Sequence, residues 1–106
     1  MPLIELRNVE EKEILPGLTV KFVHAVNITL AYWHFESGVE LPRHSHIHEQ
    51  VVNVIEGELI LVLDNEPLHL TPGKVVVIPP DVPHSGKAVT ECRVIDVFYP
   101  TRDDYK

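Results

Sequence analysis

Short apolar runs cut by turn residues leave this chain little choice but a β-sheet fold. Residues 18–26 and 28–35 are rich in Val, Ile, Thr and aromatic side chains, the types strands favour, and Asn27 between them is a turn residue. The pattern returns at 50–55 and 58–63, parted by Glu56-Gly57. It returns again at 68–70 after Asp64-Asn65-Glu66-Pro67, at 74–78 after Thr71-Pro72-Gly73, and at 93–99 before Pro100. Pro79-Pro80-Asp81-Val82-Pro83-His84 reads as a proline-braced loop, and nine prolines among 106 residues work against helix interiors. Strands this short, spaced by turns at intervals of roughly 8–12 residues, predict a sandwich or barrel. No repeat or linker divides the chain, so the expectation is one all-β domain over residues 1–106.

Residues 59–63 and 75–78 are apolar at successive positions instead of alternating. Strands of that kind need cover on both faces, and a chain this short has little left to supply it. A homodimer burying one outer sheet face is therefore expected. The competing reading has the first 17 residues cover that face.

Asp and Glu outnumber Lys and Arg by 16 to 9, a formal charge of −7. Nucleic acid and anionic membranes both demand a basic surface, so neither is an expected partner. A small anionic ligand needs only a local positive site. Cys92 is the single cysteine and has no internal disulfide partner. The start, Met1-Pro2-Leu3-Ile4-Glu5-Leu6-Arg7, lacks a basic-then-apolar leader. No apolar run approaches the roughly 18 residues of a membrane span, so the expected setting is the cytoplasm.

Seven histidines are many for this length, and three of them combine with a glutamine. In Arg43-His44-Ser45-His46-Ile47-His48-Glu49-Gln50, His44 and His46 are two apart, so an extended segment points both to one side. Gln50 opens the next strand, where it can turn inward, and His84 ends the proline-braced loop. Three imidazoles and a carbonyl oxygen suit one divalent first-row ion such as Ni, Fe, Mn, Co or Zn. Gln is neutral, so the ion keeps its full charge, which favours an anionic or oxygen-rich ligand. Glu49 offers a carboxylate instead, but a one-residue step reverses the side-chain face, which favours Gln50. His48 falls at the rim of such a site. His24, His34 and His69 stand alone on strands and read as structural or surface residues, and Glu10-Glu11-Lys12-Glu13 as a solvated segment.

Asp96 and Phe98 share one face of the last strand. A carboxylate in mid-strand is costly to bury unless it has a partner or a task. Beside a cation it is stabilised ionised and can move a proton. Phe98 offers a flat apolar wall, and Arg102, just past Pro100, can reach over the mouth and grip a carboxylate with two nitrogens. An ordinary core Phe, a strand-end Asp and a surface Arg would give the same letters.

These spacings resemble the cupin family, a small double-sheet β-barrel of the jelly-roll kind. Gly38, His44, His46, Gln50 and Gly57 fill its first motif, with Gln50 where Glu is usual. Gly73, Pro79 and His84 match its second motif, while Asp81 replaces a glycine and Ala88 an asparagine. The resemblance places the barrel at about residues 17–100, with an extension at 1–16 and a tail at 101–106. The stretch from His44 to Val51 and the ending from Asp96 to Tyr105 are similar to the pectin-degradation cupins, which turn 4,5-unsaturated uronates from pectin or alginate breakdown into open-chain keto sugars. That likeness implies a metal held by His44, His46, Gln50 and His84, with Asp96, Phe98 and Arg102 around a small anionic sugar substrate. A cupin-type non-haem dioxygenase, a non-catalytic sugar- or metabolite-binding domain and a metal-free scaffold fit the same motifs.

Overall fold

Alternation along the strands decides which side chains face inward. The computed structural model describes residues 3–106; Met1 and Pro2, which begin the expected extension, lie outside the described residues. Ten strands follow in order: β1 (Lys12–Leu15), β2 (Leu18–His24), β3 (Thr29–Phe35), β4 (Glu40–His44), β5 (Glu49–Glu56), β6 (Leu59–Leu63), β7 (Glu66–Leu70), β8 (Val75–Ile78), β9 (His84–Ala88) and β10 (Cys92–Tyr99). Among the described residues the only helical elements are 3-10 turns at Leu6–Asn8 and Asp103–Tyr105. Six strands form one antiparallel sheet in the order β1-β2-β3-β10-β5-β8, and four form the second in the order β4-β9-β6-β7.

The expected all-β jelly roll is present, with one refinement. Every ladder lies within one of the two sheets, so they face each other as a sandwich and do not close into a hydrogen-bonded barrel. Three further strands, β1, β4 and β9, escaped the sequence pattern. β1 adds to the edge beyond β2, with Lys12 opposite Val20. Its neighbours Glu10, Glu11 and Glu13 are exposed, as a solvated run should be. β9 begins at His84, expected on a loop, and pairs with both β4 and β6.

Leu18, Val20 and Phe22 of β2, Ala31, Trp33 and Phe35 of β3, Val52 and Val54 of β5, and Val94 and Phe98 of β10 turn inward, where they meet Leu59 and Leu61 of β6. Register then sorts the large sheet into two ends. Val54 opposes Val94 at the apolar end, while Val52 opposes Asp96 and Gln50 opposes Phe98 toward the other. The four-stranded sheet sets His44 directly across from His84 at that same end. Polar side chains from both sheets therefore converge on one mouth.

Outside, β8 is an edge strand whose Val75 and Val77 are more than half exposed while Ile78 is fully buried. Exposed Ile55 and Tyr99 lie on the neighbouring strands β5 and β10. β1 lengthens the far edge of this sheet, so it leaves these residues open.

Candidate metal centre

The donor atoms of His44, His46 and His84 all lie within 4.8 Å of one another. The three rings come from three different places. His44 ends β4, His84 starts β9, and His46 sits in the link that carries the chain to β5. The two residues are thus not on one continuous strand, yet the rings of His44 and His46 still approach to 5.8 Å between centroids. His84 lies 4.3 Å from His44 and 5.0 Å from His46 on the same measure.

Backbone carbonyls fix the tautomer of each ring. Nδ1 of His44 donates to Pro42 O at 2.8 Å, Nδ1 of His46 to His48 O at 3.0 Å, and Nδ1 of His84 to Val82 O at 2.9 Å. A carbonyl only accepts, so each Nδ1 carries the proton and each neutral ring keeps its lone pair on Nε2. Metal-binding histidines are held in this way. Burial disfavours the charged form of two of these rings: it pulls His84 down to about 4, and it lowers His46 as well.

Two observations test whether these residues fit an ion. His84 Nε2 is buried with no hydrogen-bond partner. Gln50 Oε1 stands 2.9 Å from His46 Nε2, while the Gln50 amide nitrogen donates to Asp96 Oδ2 at 2.8 Å. With Nδ1 protonated, His46 Nε2 and Gln50 Oε1 are two acceptors facing each other. A divalent cation between such lone pairs removes the repulsion, and the donor set of three imidazoles and an amide oxygen suits a first-row ion. Glu49, one step out of register, is exposed on the opposite face of β5.

Asp96 is 5% exposed, and its other oxygen, Oδ1, has no partner. Burial pushes its pKa up to about 7, against the opposing pulls of the Gln50 hydrogen bond, the Trp33 indole and the Arg102 charge. A carboxyl so placed exchanges a proton near neutral pH. With the histidines, Gln50 and Arg102 it lines a cavity of about 340 Å³.

Arg102 does not hang over the mouth as a free arm. It is 7% exposed, and its guanidinium lies between the rings of Phe98, at 4.7 Å, and Tyr105, at 4.4 Å. Asp104 grips it bidentately, accepting from Nε at 3.0 Å and from an Nη at 2.7 Å. Tyr105 in turn stacks on Phe22 at 4.6 Å, and Lys12 Nζ donates to the Tyr105 carbonyl at 3.2 Å. The guanidinium keeps a second edge of N–H donors for a ligand. The Phe98 face that the sequence offers to a sugar ring carries this guanidinium instead.

The remaining histidines divide. His48, expected at the rim, is buried against Phe98 and His46, with Nδ1 unpartnered. His34 pairs with Glu91 and His69 with Glu58, both toward solvent, and His24 hydrogen-bonds Thr29. Sequence reading missed Trp33, Asp104 and Tyr105 as parts of the site. The i, i+2 spacing of Arg102 and Asp104 was a local signal for their pairing; nothing local pointed to Trp33.

Among the described residues, no helix is long and apolar enough to cross a membrane. An RmlC-like cupin from Shewanella frigidimarina NCIMB 400 superposes with a TM-score of 0.93 at 29% identity, covering 100% of this chain and 96% of that one. KdgF from Halomonas sp. follows with a TM-score of 0.88 at 28% identity, covering 94% of each chain. The HTH-type transcriptional regulator PuuR of Escherichia coli (strain K12) is 28% identical over 92 residues, or 80% of this chain. The chain spans about half the length of that curated relative, 50%. Residues 31–98 match the cupin domain profile. That stretch holds every strand carrying a histidine, glutamine or aspartate of the site, and on this ground the chain belongs to the cupin family.

Proposed function

We propose that this cupin is a metal-dependent enzyme that opens the ring of small unsaturated uronates to give open-chain keto sugars. The observation that carries the reading is Asp96, a buried carboxyl hydrogen-bonded to Gln50 in a cavity shared with the three histidines and Arg102. His44, His46, His84 and Gln50 would hold the ion, which supplies Lewis acidity toward a ring or hydroxyl oxygen. Arg102 binds the sugar carboxylate through the edge that Asp104 leaves free. Phe98 and Tyr105 hold that guanidinium in place. Asp96 takes the hemiacetal hydroxyl proton as the ring C–O bond breaks, and returns a proton to the enol carbon. The reaction is an isomerisation, so no oxidant or co-reactant is needed. The likeness of the tail from Asp96 to Tyr105 to the pectin-degradation cupins supports the same substrate class.

The test is incubation with lyase-generated unsaturated monouronates. Absorbance of the conjugated double bond should fall faster than the spontaneous rate, and EDTA should abolish the difference. Absence of any acceleration with Ni, Fe, Mn, Co or Zn added back overturns the reading. The match to half of a transcriptional regulator favours one alternative, a sensing domain that binds the sugar without turning it over. For the open face around Val75, Val77 and Tyr99 we propose a second copy of this chain as the cover.

A further inference from the structure

Four buried side-chain atoms lack a hydrogen-bond partner among the described residues: His84 Nε2, His48 Nδ1, Trp33 Nε1 and Asp96 Oδ1. An ion accounts for the first. The last two are a donor and an acceptor on paired strands. Trp33 of β3 opposes Val94 of β10, two residues from Asp96 on the same inner face, so indole and carboxyl are diagonal neighbours within reach of each other. The indole N–H is near enough to the carboxyl to act on it as a hydrogen-bond donor, but the contact is too long or too bent to meet strict hydrogen-bond geometry. Both side chains line the same cavity, and both are more than nine-tenths buried.

Packing holds the indole where it is. Phe22 meets it edge-on at 6.0 Å and Phe35 lies 6.3 Å away. An unpaired buried donor or acceptor is costly, so folded proteins rarely leave two together without a use. A hydroxyl satisfies both at one atom, accepting from an N–H while donating to a carboxyl oxygen. A carboxylate cannot, because it only accepts when ionised.

We propose that Trp33 Nε1 and Asp96 Oδ1 form a hydroxyl-recognition subsite, with Trp33 selecting hydroxylated ligands over deoxygenated ones. The inference deepens the proposed function and rests on it for the carboxylate of the ligand, but not for the hydroxyl. A phenylalanine at position 33 keeps an aromatic ring in the core and removes the donor.

Three non-reacting probes separate the possibilities by calorimetry on the purified protein: D-galacturonate, tetrahydropyran-2-carboxylate, which has the ring and carboxylate without hydroxyls, and methyl β-D-galactoside, which has hydroxyls without the carboxylate. Trp33→Phe should weaken galacturonate by about 10-fold, the size of one neutral hydrogen bond, and leave tetrahydropyran-2-carboxylate unchanged. Trp33 is the single tryptophan, so emission of the unaltered protein gives a second measure that needs no variant. It should shift with galacturonate and stay still with tetrahydropyran-2-carboxylate. Equal affinity of unaltered protein and variant for galacturonate overturns the subsite, as does an equal loss for both carboxylates or no binding of any hydroxylated probe. Methyl galactoside binding as tightly as galacturonate, with the same Trp33 dependence, keeps the subsite and sinks the uronate reading.

Discussion

Replacing Asp96 by asparagine separates what this carboxyl costs the fold from what it does in the site. Its pKa stands at about 7 in the folded protein against an ordinary 3.8. Below about pH 4 both folded and unfolded chains carry the proton, and nothing is lost. As pH rises toward 7 the unfolded chain releases a proton that the folded one keeps, so stability falls across that window. The gap of about three pH units, at about 1.4 kcal/mol each, amounts to about 4 kcal/mol by pH 8. Water reaching the site relaxes part of this, leaving about 2–4 kcal/mol. Asparagine keeps the shape and can still accept from the Gln50 amide, but it carries no charge. The assay is urea unfolding of EDTA-treated protein between pH 4.5 and 8, because a nearby cation would itself draw the carboxyl down. Asp96→Asn should exceed the unaltered protein by only about 1 kcal/mol at pH 4.5 and by about 2–4 kcal/mol at pH 8, and lose turnover of unsaturated uronates. At roughly 4–8 °C per kcal/mol for a domain of this size, the gain should reach about 10 °C in Tm. His84 works in the opposite direction: its folded pKa of about 4 lies below 6.5, so stability is lost as pH falls through that range. The asparagine variant should therefore retain a slope that rises with pH below 6.5, and adding His84→Gln should flatten most of it. An Asp96→Asn protein no more stable at pH 8 than the unaltered one, or with a gain that grows toward acid, refutes the argument from burial.

Two glycines with the same backbone angle should differ sharply in tolerance. Gly38 and Gly57 have φ of +85° and +86°, but a Cβ at Gly38 meets nothing within 4 Å, while at Gly57 it falls 2.0 Å from the Glu91 carbonyl oxygen. Gly38→Ala should cost about 1–2 kcal/mol, the left-handed penalty alone, and Gly57→Ala several kcal/mol more; equal melting temperatures would contradict this. For the open face, light scattering at micromolar concentration should return twice the monomer mass, and Val77→Lys should halve it. A monomer without the substitution overturns the self-association.

The strands legible in the sequence are those whose residues are strand formers in their own right. β3 and β10 alternate and turn Ala31, Trp33, Val94 and Asp96 inward as their letters imply. β9 was not legible, because His84-Ser85-Gly86-Lys87-Ala88 has no β-branched residue and extends only through its neighbours β4 and β6. That Gln50 and not Glu49 faces inward needed only the parity of a strand, and spacing was enough to group His44, His46 and His84. The depth of His48 was hidden, since a bend, not a strand, tucks it under Phe98. The approach of Trp33 to Asp96 depends on a pairing between strands far apart in the chain, which no local pattern records.

The candidate ligands come from two separately bonded sheets, His44 and His84 from one and Gln50 from the other, with His46 on the link. An ion there would rivet two plates that otherwise meet through apolar side chains and the links that cross between them. Its grip is therefore set by how far apart the plates rest. Side chains far from the mouth, such as Leu59 and Val54, act as shims: thinning or thickening them tilts the plates and retunes the affinity without touching a ligand.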